Sequence, residues 1–203
     1  MNKVTNIARY GGHEASVTDF DKAKVVILPV PYEGTVTYRQ GTKNGPLAII
    51  EASRNMEIYD EELNVETHKV GIYTMPLMDL VDATPEGAVE SVCLAVKNLL
   101  SASKFPVVIG GEHSISLGAI KAVKETVGDF SVLHFDAHSD MRNEYGGTKY
   151  NHTCVGRRIQ EIAPITQLGI RSMSKEDKEF IDSKGNISRV ITAYDILNDA
   201  LWD

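Results

Sequence analysis

Three metal-capable side chains stand two residues apart in Phe135-Asp136-Ala137-His138-Ser139-Asp140, directly behind the mostly apolar run Ser131-Val132-Leu133-His134. The run reads as a buried strand, and side chains along a strand repeat every second residue. If the strand stays extended through Asp140, then Asp136, His138 and Asp140 all point to one side. Carboxylate, imidazole and carboxylate on one face, at the carboxyl end of a strand, hold a divalent ion where an α/β sheet keeps its active site. The competing reading is a polar loop with Asp136 capping a turn. A second segment weighs against it. Gly110-Gly111-Glu112-His113-Ser114 leaves the apolar strand 106–109, and its paired glycines allow a sharp turn and close backbone approach. From the top of a neighbouring strand, His113 then joins Asp136, His138 and Asp140 in one crevice. Alone, His113 reads as a helix-start residue bonded to a carbonyl.

The elements that must position these groups alternate along the chain. Strands are predicted at 24–29, 70–74, 106–109, 131–135, 165–170 and 189–192. Helices are predicted at 46–59, 85–103, 114–127, 154–162 and 175–183, and 194–203 starts like another. The clearest helix is 85–103, capped by Thr84, with Val89, Val92, Val96, Leu99 and Leu100 on one face. Strands without polar alternation, separated by helices, predict an α/β fold with a parallel sheet covered on both faces. No repeat or long linker divides residues 1–203, so a single domain is expected.

A formal net charge of −7 argues against a nucleic-acid partner and suits a cationic small molecule. The longest apolar runs, such as Val25-Val26-Ile27-Leu28-Pro29-Val30, are too short to span a bilayer, so no membrane partner is expected. The N-terminus lacks an apolar signal core, and Cys93 and Cys154 suggest neither a disulfide scaffold nor a zinc ribbon. A reducing cytoplasm is the expected setting.

Together, Gly-Gly-Glu-His-Ser and Asp-Ala-His-Ser-Asp resemble two metal signatures of the ureohydrolase superfamily, which includes arginase, agmatinase and formimidoylglutamase. The resemblance covers essentially the whole chain: the segment from Pro31 to Thr42, with Gly45-Pro46, resembles the early loop and helix start of agmatinases. Glu112 replaces the commoner Asp of the first signature, at a position that is not a ligand in the family. The resemblance implies a three-layer α/β/α fold with a mostly parallel sheet. It also implies a pair of manganese ions: His113 and Asp140 on one, His138 on the other, Asp136 between them. His134 would be a core or supporting histidine, and His152 an active-site histidine that shuttles protons or orients substrate. His13 and His68 read as surface residues. Cys154, beside His152, has a minor claim as a nucleophilic thiol.

The chemistry implied is hydrolysis of a linear guanidino compound. A guanidinium carbon is a poor electrophile, and two metals make hydroxide available near neutrality, while a histidine returns a proton to the departing amine. The stretch from Met141 to Tyr150 lacks the arginase pattern that recognises an amino-acid end, so the leading substrate is agmatine, giving putrescine and urea. Glu144 could face a cationic tail, or stand as a solvated loop carboxylate. Aminopropylagmatine, guanidinobutyrate, arginine and formimidoylglutamate belong to the same chemistry. An inactive pseudo-ureohydrolase partner and a deacetylase-like amidohydrolase are the rival classes.

The family's third signature, Ser-x-Asp-x-Asp-x-x-Asp-Pro, is absent, and 194–203 resembles the helix that precedes it. The expectation is therefore an arginase-like fold that is incomplete at its C-terminal side, with an exposed sheet edge. The resemblance implies a homo-oligomer, trimer or hexamer, at full length.

Overall fold

In the computed structural model, residues 8–17, 19–183 and 188–197 are described. The elements run α1 (Gly12–Ala15), β1 (Val25–Val30), α2 (Gly45–Ala52), β2 (Ile72–Thr74), α3 (Pro85–Ser101), β3 (Phe105–Gly110) and α4 (Ser116–Val127). They continue with β4 (Val132–Phe135), α5 (Val155–Gln160), β5 (Ile165–Ile170), α6 (Lys175–Ser183), β6 (Ser188–Thr192) and α7 (Ala193–Ile196). The α/β alternation holds, and every strand pairing is parallel. Val26, Ile27 and Leu28 are all buried although successive side chains point to opposite faces, so β1 is covered on both sides.

The sheet differs from the expected one. Among the described residues, six strands form two three-stranded sheets, ordered β2-β1-β3 and β4-β5-β6. β3 and β4 are thus not bonded neighbours, and each presents an edge with no strand partner among the described residues. Phe105 on β3 and Leu133 and Phe135 on β4 are correspondingly exposed. A cleft of about 550 Å³ lies between these edges, lined by Val108, Ile120, Val132, Leu133 and His134, with His113 also on its wall. Periodicity reports which face a strand buries but not which strand lies beside it.

Several helices are also shorter than predicted. The 46–59 helix ends at Ala52 and passes into a 3-10 turn, Ser53–Asn55, whose serine hydroxyl donates to the Ile50 carbonyl. The predicted 70–74 strand narrows to Ile72–Thr74, because Thr67–Val70 is a 3-10 turn. Helices predicted from 114 and 154 start at Ser116 and Val155, each preceded by a 3-10 turn, His113–Ile115 and His152–Cys154. These tighter turns leave no 3.6-residue signature. The predicted cap is present: Gly87 N–H donates to Thr84 Oγ1 at 3.1 Å. Val89, Val92, Val96 and Leu99 are buried as expected, and Leu100 packs partly buried beside them. At the far end, Thr192 and Asp195 form a reciprocal capping box at the start of α7. The predicted 194–203 helix lies mostly outside the described residues beyond Leu197.

Candidate metal centre

β4 stops at Phe135, and residues 136–140 form an irregular loop rather than a continuing strand. Strand alternation therefore does not bring Asp136, His138 and Asp140 together; the loop's own bonding does. Asp136 N–H donates to the Leu168 carbonyl at 3.1 Å, and the N–H groups of Arg171 and Ser172 donate to Ala137 O. Asp136 Oδ1 accepts from the His138 N–H at 2.8 Å, so the turn-capping role read as the alternative is real and coexists with the cluster. Asp140 has φ 51°, a left-handed backbone uncommon for a residue with a side chain. Its carbonyl accepts from Arg157 N–H at 3.1 Å, which ties the loop to α5.

The contact between α5 and this loop explains Gly156. A Cβ at that position would lie 2.4 Å from the Ser139 carbonyl oxygen and 3.1 Å from that of Asp140. Gly111 plays the same part on the other side, where a Cβ would stand 2.1 Å from Tyr32 O. The loop floor is buried and polar. Ser139 Oγ donates to Asp177 Oδ2 at 3.0 Å, and Gln167 Nε2 donates to Ser139 O at 2.7 Å.

Onto this frame four predicted side chains converge from segments that follow β3 and β4, two strands not bonded to each other. His113 Nδ1 lies 2.9 Å from Asp140 Oδ2 and 3.4 Å from Asp136 Oδ2. His138 Nδ1 lies 3.3 Å from the other oxygen, Asp136 Oδ1. Asp136 therefore stands between the two histidines and offers one oxygen to each. Burial pulls its carboxyl upward, but the His138 N–H and the His113 and His134 rings outweigh that and hold it below the usual carboxylate range. Asp140 is the more enclosed carboxylate, with 11% side-chain exposure, whereas the His138 ring is 64% exposed.

A tighter triplet contains His134 instead: ligand atoms of His113, His134 and Asp136 all lie within 4.8 Å of one another. Hydrogen bonding argues against His134 as a ligand. Gln167 Nε2 approaches His134 Nδ1 at 2.9 Å and, as an amide donor, makes Nδ1 the acceptor. The ring proton then sits on Nε2, 3.4 Å from Asp136 Oδ2, and leaves no lone pair for a metal. Burial, and then the His113 ring, lower the His134 pKa, consistent with a neutral donor. On this geometry His134 is a buried histidine that accepts from Gln167 and faces Asp136.

His152 begins its 3-10 turn beside the first segment, held by Thr35. Its backbone N–H donates to Thr35 Oγ1 at 3.1 Å, and its Nδ1 lies 3.1 Å from the same oxygen. Glu112, buried, accepts from Thr35 N–H, Thr35 Oγ1 and Ser114 Oγ at 2.6–2.7 Å. Sequence reading noticed Glu112 only as a departure from a signature and missed Thr35 and Gln167. No periodic signal marks a polar residue bonded across 77 positions.

Two minor expectations resolve here. His13 is exposed, and His68 is half-buried, its side chain 17% exposed beside Glu66. Cys154 is fully buried, and burial raises its thiol above the ordinary value, as it does for Cys93. A buried, protonated thiol is a poor nucleophile. Neither cysteine should react with an aromatic disulfide reagent at pH 8 in the native protein, and both should react in denaturant. Fast native labelling at Cys154 would restore the thiol hypothesis.

A profile described as the arginase family matches residues 23–201. The chain belongs to the arginase family. Among related arginase-family proteins, an N(1)-aminopropylagmatine ureohydrolase of Synechocystis sp. is 37% identical over 190 residues, covering 90% of this chain and 62% of its own length. An agmatinase of Bacillus cereus is 34% identical over 169 residues, 82% of this chain and 58% of the relative. The crystal structure of the agmatine ureohydrolase of Thermoplasma volcanium superposes with a TM-score of 0.85 at 32% identity, covering 97% of this chain and 65% of that one. The chain thus spans less than two thirds of the length of these relatives. Among the described residues no helix is long and apolar enough to cross a membrane.

Proposed function

We propose that this chain serves hydrolysis of a linear guanidino compound with an amine tail, agmatine or its aminopropyl derivative, releasing urea and a polyamine. The observation that carries the reading is the meeting of His113, Asp136 and Asp140, with His138 on the second oxygen of Asp136. Carboxylate oxygens and imidazole nitrogens, with no thiolate among them, are the donor set that suits manganese. A carboxylate offering one oxygen to each of two histidines fits a pair of ions: His113 and Asp140 would hold one, His138 the other, and Asp136 both. Ions so held lower the pKa of bound water and supply hydroxide near neutrality.

This chain's other residues supply orientation and proton transfer. His134 Nε2–H points at Asp136 Oδ2 and steadies that carboxylate. His152 accepts a proton at Nε2 and returns it to the departing amine nitrogen. A polar cavity of about 220 Å³ opens on His138 and Asp140. Glu144 stands exposed in the adjoining loop, where a solvated carboxylate is the simplest reading. The substrate class is supported by the relatives' names, by the missing arginase pattern after Asp140 and by the −7 net charge, which favours cations.

The test is urea release after manganese loading, with agmatine, aminopropylagmatine and arginine compared side by side. Urea from either amine-tailed compound and none from arginine is the expected result. A manganese-loaded chain that releases no urea from any of the three contradicts the reading.

A further inference from the structure

Thr35 occupies a position that the reaction, as described so far, does not use. Its hydroxyl oxygen has one hydrogen to give and two lone pairs. Three groups surround it: the Glu112 carboxylate at 2.6 Å, the His152 backbone N–H at 3.1 Å and His152 Nδ1 at 3.1 Å. The backbone N–H takes one lone pair. If the hydroxyl hydrogen turned to Nδ1, a lone pair would face the Glu112 oxygen at 2.6 Å, an uncompensated repulsion in a buried place. Directed at Glu112, the hydrogen leaves the second lone pair facing Nδ1. Donors and acceptors then balance only if Nδ1 carries a proton.

We infer that Thr35, backed by Glu112, is a positioning residue that fixes His152 as its Nδ1–H tautomer and so leaves the Nε2 lone pair free to take a proton. The carboxylate is itself held in place by the Thr35 N–H and the Ser114 hydroxyl. When Nε2 takes a proton, the ring becomes a cation whose Nδ1–H already points along a hydroxyl to an anion. When Nε2 releases it, the same tautomer returns. An anion that orients a histidine from behind is a general way of preparing a proton carrier; here a threonine hydroxyl stands between the two. The early loop from Pro31 to Thr42, far from either metal signature in sequence, acquires a chemical role through Thr35.

The inference rests on His152 being the proton carrier of the proposed reaction, but its test does not need turnover. Ring nitrogen shifts of His152 are read by heteronuclear NMR on the full 203-residue chain, at a pH where the ring is neutral, with His152→Asn identifying the signals. In the wild type Nδ1–H should exceed Nε2–H by roughly tenfold, the ratio one hydrogen bond to a charge-backed partner can impose. T35S keeps the hydroxyl and should keep that ratio. T35V should shift the ring towards Nε2–H. E112Q places an amide donor against Thr35, turns the hydroxyl hydrogen to Nδ1, and should reverse the preference. If the buried changes unfold the chain, the wild-type spectrum still decides, since a majority of Nε2–H overturns the inference. Wherever urea release is measurable, T35V should lower kcat with little change in KM, while T35S stays near wild type. Absent urea with the Nδ1–H tautomer present counts against the proposed function alone.

Discussion

D136N should cost at least about 100-fold in manganese affinity while leaving the fold intact, because losing a ligand outweighs losing one of its supports. The His138 backbone N–H needs an acceptor at Oδ1, 2.8 Å away, so the new amide group is forced into the Oδ2 position. There it faces His113 Nδ1 and the proton-bearing His134 Nε2, each at 3.4 Å. A lone pair is replaced by hydrogens at the point where the cluster converges. The side chain keeps its size and its turn-capping bond, so thermal unfolding of the metal-free protein should change little. Equilibrium dialysis against manganese, run beside a calorimetric melt, separates the two effects. An affinity within threefold of wild type would show that Asp136 only caps its loop.

G156A should cost about 2–3 kcal/mol of stability, the usual scale of overpacking against an unyielding neighbour. The added Cβ would stand 2.4 Å from a backbone carbonyl oxygen, and backbone cannot rotate away as a side chain can. Relief requires α5 and the Ser139–Asp140 loop to part, which stretches the Arg157 N–H to Asp140 O bond. G156A should therefore weaken metal binding as well as stability. G147A is the control. Gly147 has φ +79° but nothing within 4 Å of a Cβ, so only the left-handed backbone penalty of about 1–2 kcal/mol applies. Urea midpoints for the two variants should differ in that order, with metal affinity unchanged in G147A. Equal midpoints would mean that α5 does not press on the loop as described.

The parts of this structure legible in the sequence are those written in short-range pattern. Ile165–Ile170 and Lys175–Ser183 begin and end where periodicity places them, and Thr84 caps its helix as its type and position imply. The candidate metal residues are legible because three metal-capable side chains follow an apolar run at alternate positions. Their assembly has a different cause from the one the sequence suggests: the pattern predicts an extended strand through Asp140, whereas backbone bonds with Leu168, Arg171 and Ser172 shape a loop there. The division into two sheets was invisible, because strand order depends on which edges meet and not on any strand's own residues. Glu112, Thr35 and Gln167 were missed for a related reason. Their partners are distant in the chain, and only folding reveals that each buried polar atom has one.

Whether His113, Asp136, His138 and Asp140 form one manganese centre is tested most directly by anomalous diffraction at the manganese edge from crystals grown with the metal. The predicted map has density in direct contact with His113, Asp136 and Asp140, density in contact with His138 and Asp136, and none in contact with His134 Nε2. Strong manganese density elsewhere in the molecule, with this cluster empty, would contradict it.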